Sequence, residues 1–322
     1  MRSRNQLTGR WQEWESDLPA QVFARLLAGS GVDDLLGSHD GRVDVRGVSA
    51  PTPEVVAQTE VAGMGVRKLK GLLEFRDVTL SDLDLSAAKL DHLRFFGATL
   101  RNCRFHRASC RDWRLWRTDV EACSFEGADL RDAALGTWEK GRGNTFRGVI
   151  FRGADLRGIS CQAAVFVDCD FSDAKLDGVD FGGSHFVRCV FGGPLRDVMF
   201  HRTSSLAKGL GPNPMEDVDL SKAELQYVSF SDLDLDRVQF PGDDRHVVVK
   251  NYPCVMRRVI DQLGDAVDAH GIYLHLRFSQ EWERSGKRRQ VGVWYRPGLG
   301  DDEAQRRRAE ELLLDAERAC AE

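Results

Sequence analysis

Residues 93–135 read LRFFGATLRNCRFHRASCRDWRLWRTDVEACSFEGADLRDAAL, and every fifth position is apolar: Phe95, Leu100, Phe105, Cys110, Leu115, Val120, Phe125, Leu130 and Leu135. Upstream the series reaches back through Leu90, Leu85 and Leu80 to Phe75. In a chain with 42% hydrophobic residues, so long a run arises by chance about once in 10⁵, which marks it as an internal repeat. The frame slips by one residue across 136–145 and resumes as Phe146, Phe151, Leu156, Cys161, Phe166, Phe171, Leu176, Phe181, Phe186 and Phe191. After Gly192, Gly193 and Pro194 it slips back and continues to Phe240. Two residues before most of these positions stands a smaller apolar residue, among them Ala98, Cys103, Ala108, Cys123, Ala128, Ala154, Cys169 and Cys189.

A helix repeats its apolar face every 3.6 residues and a strand every 2.0, so neither keeps a period of five on one side. A chain that turns after each short extended segment does, if successive coils stack and bury the same inward positions. Ala128-Asp129-Leu130-Arg131-Asp132 and Ala154-Asp155-Leu156-Arg157-Gly158 resemble the units of the pentapeptide repeat family. That resemblance covers residues 72–240 and implies a mainly β fold: a right-handed quadrilateral β-helix of about eight coils, twenty residues to the coil. On that basis Cys103 and Cys123, and likewise Cys169 and Cys189, stack one coil apart as small apolar residues inside the rod.

The expected organisation is an N-terminal, partly helical capping segment (1–71), the β-helix (72–240) with interruptions near 136–145 and 192–217, and a small C-terminal α/β module (241–322). In the first segment we expect a helix over 19–28, a strand over 42–46 and a short helix from Pro53 through Val61. In the last we expect a helix from Pro253 ending before Gly271, strands over 272–278 and 290–295 flanking a charged hairpin tip, and a final helix from Asp301. Eight Cys without a CxxC pair are read as reduced thiols. The first thirty residues hold Arg2, Arg4, Arg10, Glu13, Glu15 and Asp17 and no apolar run, so no secretory signal is read and a cytoplasmic location is expected.

The chain has 45 Lys and Arg against 50 Asp and Glu, a formal net charge of -5, which names no partner by itself. The charge is unevenly placed. Arg94, Arg101, Arg104, Arg107, Arg111, Arg114 and Arg117 occupy outward positions with Asp112 as the one acid between residues 92 and 118. Asp168, Asp170, Asp173, Asp177 and Asp180 form one later acidic set, and Asp217, Asp219, Asp232, Asp234 and Asp236 another. Trp138 and Arg142 stand in the first interruption, where a projecting loop is a contact candidate. The eight His fall in no metal-binding spacing, and no phosphate-binding loop or nucleophile elbow is present, so no metal, cofactor or catalytic residue is assigned.

These features are read as a non-catalytic binding protein in which the rod and its loops recognise a protein partner. The family resemblance implies a specific candidate, because its best-known members are described as DNA mimics that bind gyrase and protect it from poisons. This chain would then be a modulator or protector of a type II topoisomerase in antibiotic self-resistance, with a homodimer as one arrangement. Two other readings stand beside it. One is an enzyme or peptide-modifying accessory of a biosynthetic pathway, with the β-helix as substrate scaffold. The other is nucleic-acid binding through the Arg-rich coils, for which Trp116 is the outward aromatic.

Overall fold

The computed structural model describes Trp11 and residues 17–61, 64–285 and 289–321. Short parallel strands stack in register along a β-helix. One wall runs through residues 74–76, 94–96, 114–116 and 134–136. A second runs through Thr79, Thr99, Asp119, Thr145, Val165 and His185. A third column passes through Asp84, Arg104, Ser124, Ile150 and Asp170, and a fourth through Lys89, Ser109, Asp129, Asp155 and Lys175. The backbone of each coil bonds to the next, as in Phe105 N–H to Ser124 O at 2.7 Å and Ser124 N–H to Cys103 O at 2.9 Å.

The five-residue series supplies the interior. Phe75, Leu100, Phe105, Cys110, Leu130, Phe146, Phe166 and Leu176 are all buried, and the smaller residues Ala98, Cys103, Ala128 and Cys169 are buried with them. Rings one coil apart stack: Phe105 on Phe125 at 4.6 Å, Phe151 on Phe171 at 4.9 Å, and Phe171 on Phe191 at 4.8 Å between centroids. Each buried Leu or Phe contributes about 1.5–3 kcal/mol, while backbone ordering costs about 1–2 kcal/mol per residue, so the axial hydrogen bonds are needed as well.

The first frame slip is an inserted segment, whereas the second, at Gly192–Pro194, shortens its coil by one residue, so that Asp180 bridges Met199. A separate, in-frame insertion follows Phe200, and each of the two insertions is plugged by a buried Asn. Across the first, Asn144 lies 26 residues beyond Thr118 rather than the usual 20 from coil to coil. Its Oδ1 accepts the Thr118 amide at 2.9 Å, and its Nδ2 donates to the carbonyls of Leu115 and Leu135. The extra residues form a hairpin, Trp138–Glu139 against Arg142–Gly143. In the second insertion, between Phe200 and Met215, Asn213 Oδ1 accepts the amides of Phe186 and Met215. These side chains supply partners that the interrupted coil no longer provides.

The flanks depart from expectation in several places. A helix (α1, Leu18–Leu27) forms where predicted and buries Val22, Phe23 and Leu26. The strand Arg42–Asp44 pairs in parallel with Leu83–Asp84, and Ser49 bridges Lys89, so residues 43–50 already belong to the stacked coils. The helix expected over 53–61 is instead a strand, Glu54–Val61, antiparallel to Met64–Lys70. Val55, Val56, Thr59 and Val61 are β-branched, which favours a pleated conformation over a helix.

In the C-terminal part, α2 (Tyr252–Leu263) ends at Gly264, short of the predicted limit. Val267, counted in its apolar face, is 93% exposed. The strand expected over 272–278 is the helix α3 (Ala269–Ser285). There Leu274 and Phe278 are buried at helical spacing while Ile272 and Leu276 face solvent, so the apparent alternation of apolar residues was a helical face plus two exposed aliphatics. The 290–295 strand is present as Gly292–Tyr295, paired antiparallel with His246–Val249. The final helix, α4 (Glu303–Ala321), buries Ala309, Leu313 and Ala316. Cys254 and Cys320 form a disulfide, which corrects the reading of all eight Cys as thiols: the fold brings together two residues separated by 66 positions. The other six are free and buried.

Replacing Asn144 by Ala should destabilise the protein by about 2–4 kcal/mol, because the buried Thr118 amide and the Leu135 carbonyl lose their Asn144 bonds and the Leu115 carbonyl keeps only Thr137 Oγ1. The neighbouring outward change Arg101→Ser should cost less than about 0.5 kcal/mol. Denaturant titration of the two variants measures both.

Candidate functional site

The β-helix turns each five-residue unit into one inward pair of positions and a set of outward ones, so a surface residue's neighbours lie one coil away. The seven arginines are not a bare cationic patch. Arg94 and Arg114 both reach Asp112. Arg101 bonds Glu121 at 3.0 Å, Arg111 bonds Asp91 at 2.9 Å, and Arg117 lies 3.4 Å from Glu139. Arg104 joins Asp40 and the fully buried Asp84. Arg107 is exposed and, among the described residues, has no ion pair. Trp116 stacks on Phe96 at 4.4 Å, and Arg76 covers the other partner of that pair. Neither the cations nor the aromatic is presented as a nucleic-acid platform.

The acidic sets divide in the same way. Asp168 is held by Arg188, Asp170 by Arg152, Asp177 by Arg196 and Asp217 by Arg237. Asp180 faces His201 at 3.5 Å, and Arg202 lies 3.7 Å from Asp232. Asp173, Asp219, Asp234 and Asp236 have no ion pair among the described residues. Several of these carboxylates also hold their own turns: Asp170, Asp180, Asp219 and Asp234 each accept the amide two residues on. This local bond explains why Asp recurs after the small apolar residue of the unit.

The unevenness of charge persists after pairing. Residues 154–240 contain fourteen Asp and Glu against eight Lys and Arg, whereas residues 72–153 contain twelve against fourteen. The rod is therefore electrically asymmetric along its axis.

Both interruptions leave the rod between the same two walls, after 134–136 and after 199–201, and they touch. Trp138 Nε1 donates to Lys208 O at 3.2 Å, and His185 Nε2 lies 2.7 Å from Gly211 O. Arg142 pairs with Asp119, tying the hairpin to the coil beneath it. Beside them Leu206 is 69% exposed. Sequence alone could not place the two segments on one edge, because that depends on the number of residues per coil.

Among the C-terminal cations, the side chain of Arg284 and the residues Lys287 and Arg288 fall outside the described residues. Arg289 is not on a solvated tip. It is buried over the Tyr252 ring and bonds Glu281 at 3.0 Å, while Glu281 also accepts Trp294 Nε1. Tyr295 donates to Glu224 of the rod, and the Leu225 amide donates to His246 Nε2, joining this module to the last coils. Among the described residues no group of three or more His, Cys, Asp or Glu is arranged to hold a metal ion. No helix among them is long and apolar enough to cross a membrane.

Protonation follows the pairing. Arg188 draws the Asp168 carboxyl below its usual range. Burial opposes ionisation of Asp170, and bonds from Ser172 and Arg152 outweigh it, leaving its pKa lowered. Burial lowers the pKa of His106 and His185. All four groups bind protons less readily folded than unfolded, so their contribution is present above the unfolded pKa and lost on acidification. Thermal stability should be greatest above about pH 6.5, weaken slightly as the histidines protonate, and fall steeply below about pH 4. A melting temperature that rises between pH 7 and pH 4 would contradict this assignment.

Residues 154–193 match the family model of pentapeptide repeats, in eight copies. No curated protein matches the chain. Among solved structures, a trypsin-treated form of QnrB1, a plasmid-mediated fluoroquinolone resistance protein, is 15% identical, with 59% of this chain and 90% of that chain covered and a TM-score of 0.29. HetL, a pentapeptide repeat protein involved in heterocyst differentiation regulation from the cyanobacterium Nostoc, is 15% identical, with 52% and 86% covered and a TM-score of 0.21.

Proposed function

From the premise that the repeat region of this chain belongs to the pentapeptide repeat family, we propose that the protein is a non-catalytic binding protein whose β-helix recognises a protein partner. The observation that supports this most is the acidic stretch 154–240, where carboxylates exceed cations by fourteen to eight. Asp219, Asp234 and Asp236 there have no ion pair among the described residues. A stacked rod holds these groups at fixed spacing with little conformational entropy left to lose, which favours recognition of a complementary cationic surface. The touching hairpin and loop at Trp138 and Lys208 add a second candidate contact, at the corner between the 134–136 and 145–147 strands.

The specific partner we propose is the DNA-binding groove of a type II topoisomerase, DNA gyrase being the first to test. A cationic groove that accepts DNA releases counterions when carboxylates replace phosphates, and the acidic coils offer them on successive turns of the rod. The basic coils would remain outside the groove. This reading takes the chain as a modulator of the enzyme in the presence of its inhibitors.

Purified protein should change gyrase supercoiling, or reduce quinolone-stabilised DNA cleavage, in a dose-dependent and salt-sensitive manner. The triple change Asp219→Asn, Asp234→Asn and Asp236→Asn keeps the turn-holding acceptors and removes three charges. It should weaken that effect by about tenfold at 0.1 M salt. If the unaltered protein affects neither reaction, the topoisomerase assignment fails.

A further inference from the structure

On the side of the rod away from the two interruptions, a groove of about 740 Å³ runs across several coils. Its floor is a single column of turn residues, one per coil: Ala87, Arg107, Gly127, Gly153 and Asp173. The amide of each of the first four bonds to the coil above, Arg107 N–H to Glu126 O, Gly127 N–H to Arg152 O and Gly153 N–H to Ser172 O. All five residues have left-handed backbone, with φ between 54° and 63° for Arg107, Gly127 and Gly153, and 57° for Ala87 and Asp173.

That shared conformation is informative, because Ala87, Arg107 and Asp173 adopt it with side chains. Glycine at 127 and 153 is therefore not demanded by the backbone alone. A Cβ at Gly153 would meet nothing within 4 Å, and one at Gly127 would meet only the Arg107 stem at 3.5 Å. The two glycines leave the middle of the column open within the groove.

The walls are polar, and most of their charges are already used. His39 and Asp40 overhang from the 38–44 hairpin. Asp84 is bonded by His39 at 2.7 Å and by Ser86, Arg104 reaches Asp40 and Asp84, and Arg46 is bonded to Asp44. His106 bonds Ser124. Arg152 is held by Asp170 at 2.6 Å and lies in the field of Glu126. Arg107 and Asp173 are exposed and have no ion pair among the described residues, and Glu126 beside Gly127 is a third such charge in the groove. The groove thus carries an available cation at Arg107 and an available carboxylate at Asp173.

Three coil steps separate Arg107 from Asp173, about 14 Å at the ~4.8 Å spacing of paired strands. An extended peptide advances about 3.3 Å per residue, so it spans that distance in about four residues. We propose that this groove binds an extended polypeptide segment bearing an acidic and a basic side chain four positions apart, the acid at Arg107 and the base at Asp173. The glycine floor admits the peptide backbone between them. This site shares no residue with the Asp219, Asp234 and Asp236 set and does not depend on the topoisomerase reading.

The test is fluorescence anisotropy with a fluorescein-labelled decapeptide of Ser, Thr and Gly carrying one Glu and one Lys four positions apart. Saturable, salt-weakened binding is expected, with peptides carrying two Glu or two Lys at the same places binding about tenfold more weakly. Arg107→Glu or Asp173→Lys alone should weaken binding of the mixed peptide by a similar factor. The double exchange should restore it, because the peptide then enters in the opposite direction. Gly127→Asn with Gly153→Asn fills the floor with residues that tolerate left-handed backbone, and should abolish binding while the melting temperature stays within a few degrees of the parent's. Absence of binding by the mixed peptide, equal binding by the two-Glu peptide, or unchanged affinity in the filled groove would each overturn the proposal. Because the gyrase assay uses other residues, the two readings fail independently.

Discussion

Everything in this molecule follows from the hydrogen bond between one coil and the next. The amide of Phe105 reaches Ser124, and the amide of Ser124 returns to Cys103; repeated along four walls, this pattern fixes which side chains meet. It places Phe105, Phe125, Phe151, Phe171 and Phe191 in one aromatic ladder, with neighbouring centroids 4.6–5.5 Å apart. It also makes any inserted residue expensive, since an insertion removes a partner from the coil below. Asn144 and Asn213 show how that cost is met: a side-chain amide mimics the missing backbone.

The same stacking governs the surface. Arg101 and Glu121, or Asp168 and Arg188, are distant in sequence and adjacent in space, so a run of like charge along the chain is neutralised from above and below. Such exposed pairs are each worth only about 0–1 kcal/mol, and their larger consequence is to decide which charges stay available. Arg107, Asp173, Asp219, Asp234 and Asp236 are among those without an ion pair among the described residues. Which surface charges stay available is therefore set by pairing between coils rather than by local composition alone.

How far the sequence could be read follows from the same geometry. The period of five was legible because each unit buries its own Leu or Phe, a local property visible at Leu100 or Phe166. Residues 43–50 were missed as a coil because the Glu54–Lys70 hairpin separates them from Phe75, so they have too few neighbours in sequence to display the period. Ile272 to Phe278 misled because alternating apolar residues fit both a strand and a helix with two aliphatics exposed. The Cys254–Cys320 bond and the plugging role of Asn144 depend on contacts between distant segments. In the candidate site, individual outward residues could be listed from the period, but whether each is paired depended on the number of residues in the intervening insertions.

Distances between spin labels test this stacking most directly. With one label at position 101 and a second at 147, 167 or 187 in turn, the mean separation by pulsed electron paramagnetic resonance should increase linearly, by about 4.8 Å for each further coil. The six buried thiols are shielded from the labelling reagent in the folded protein. Separations that fail to grow in step with coil number, or that stay constant as in a compact globule, would contradict the account.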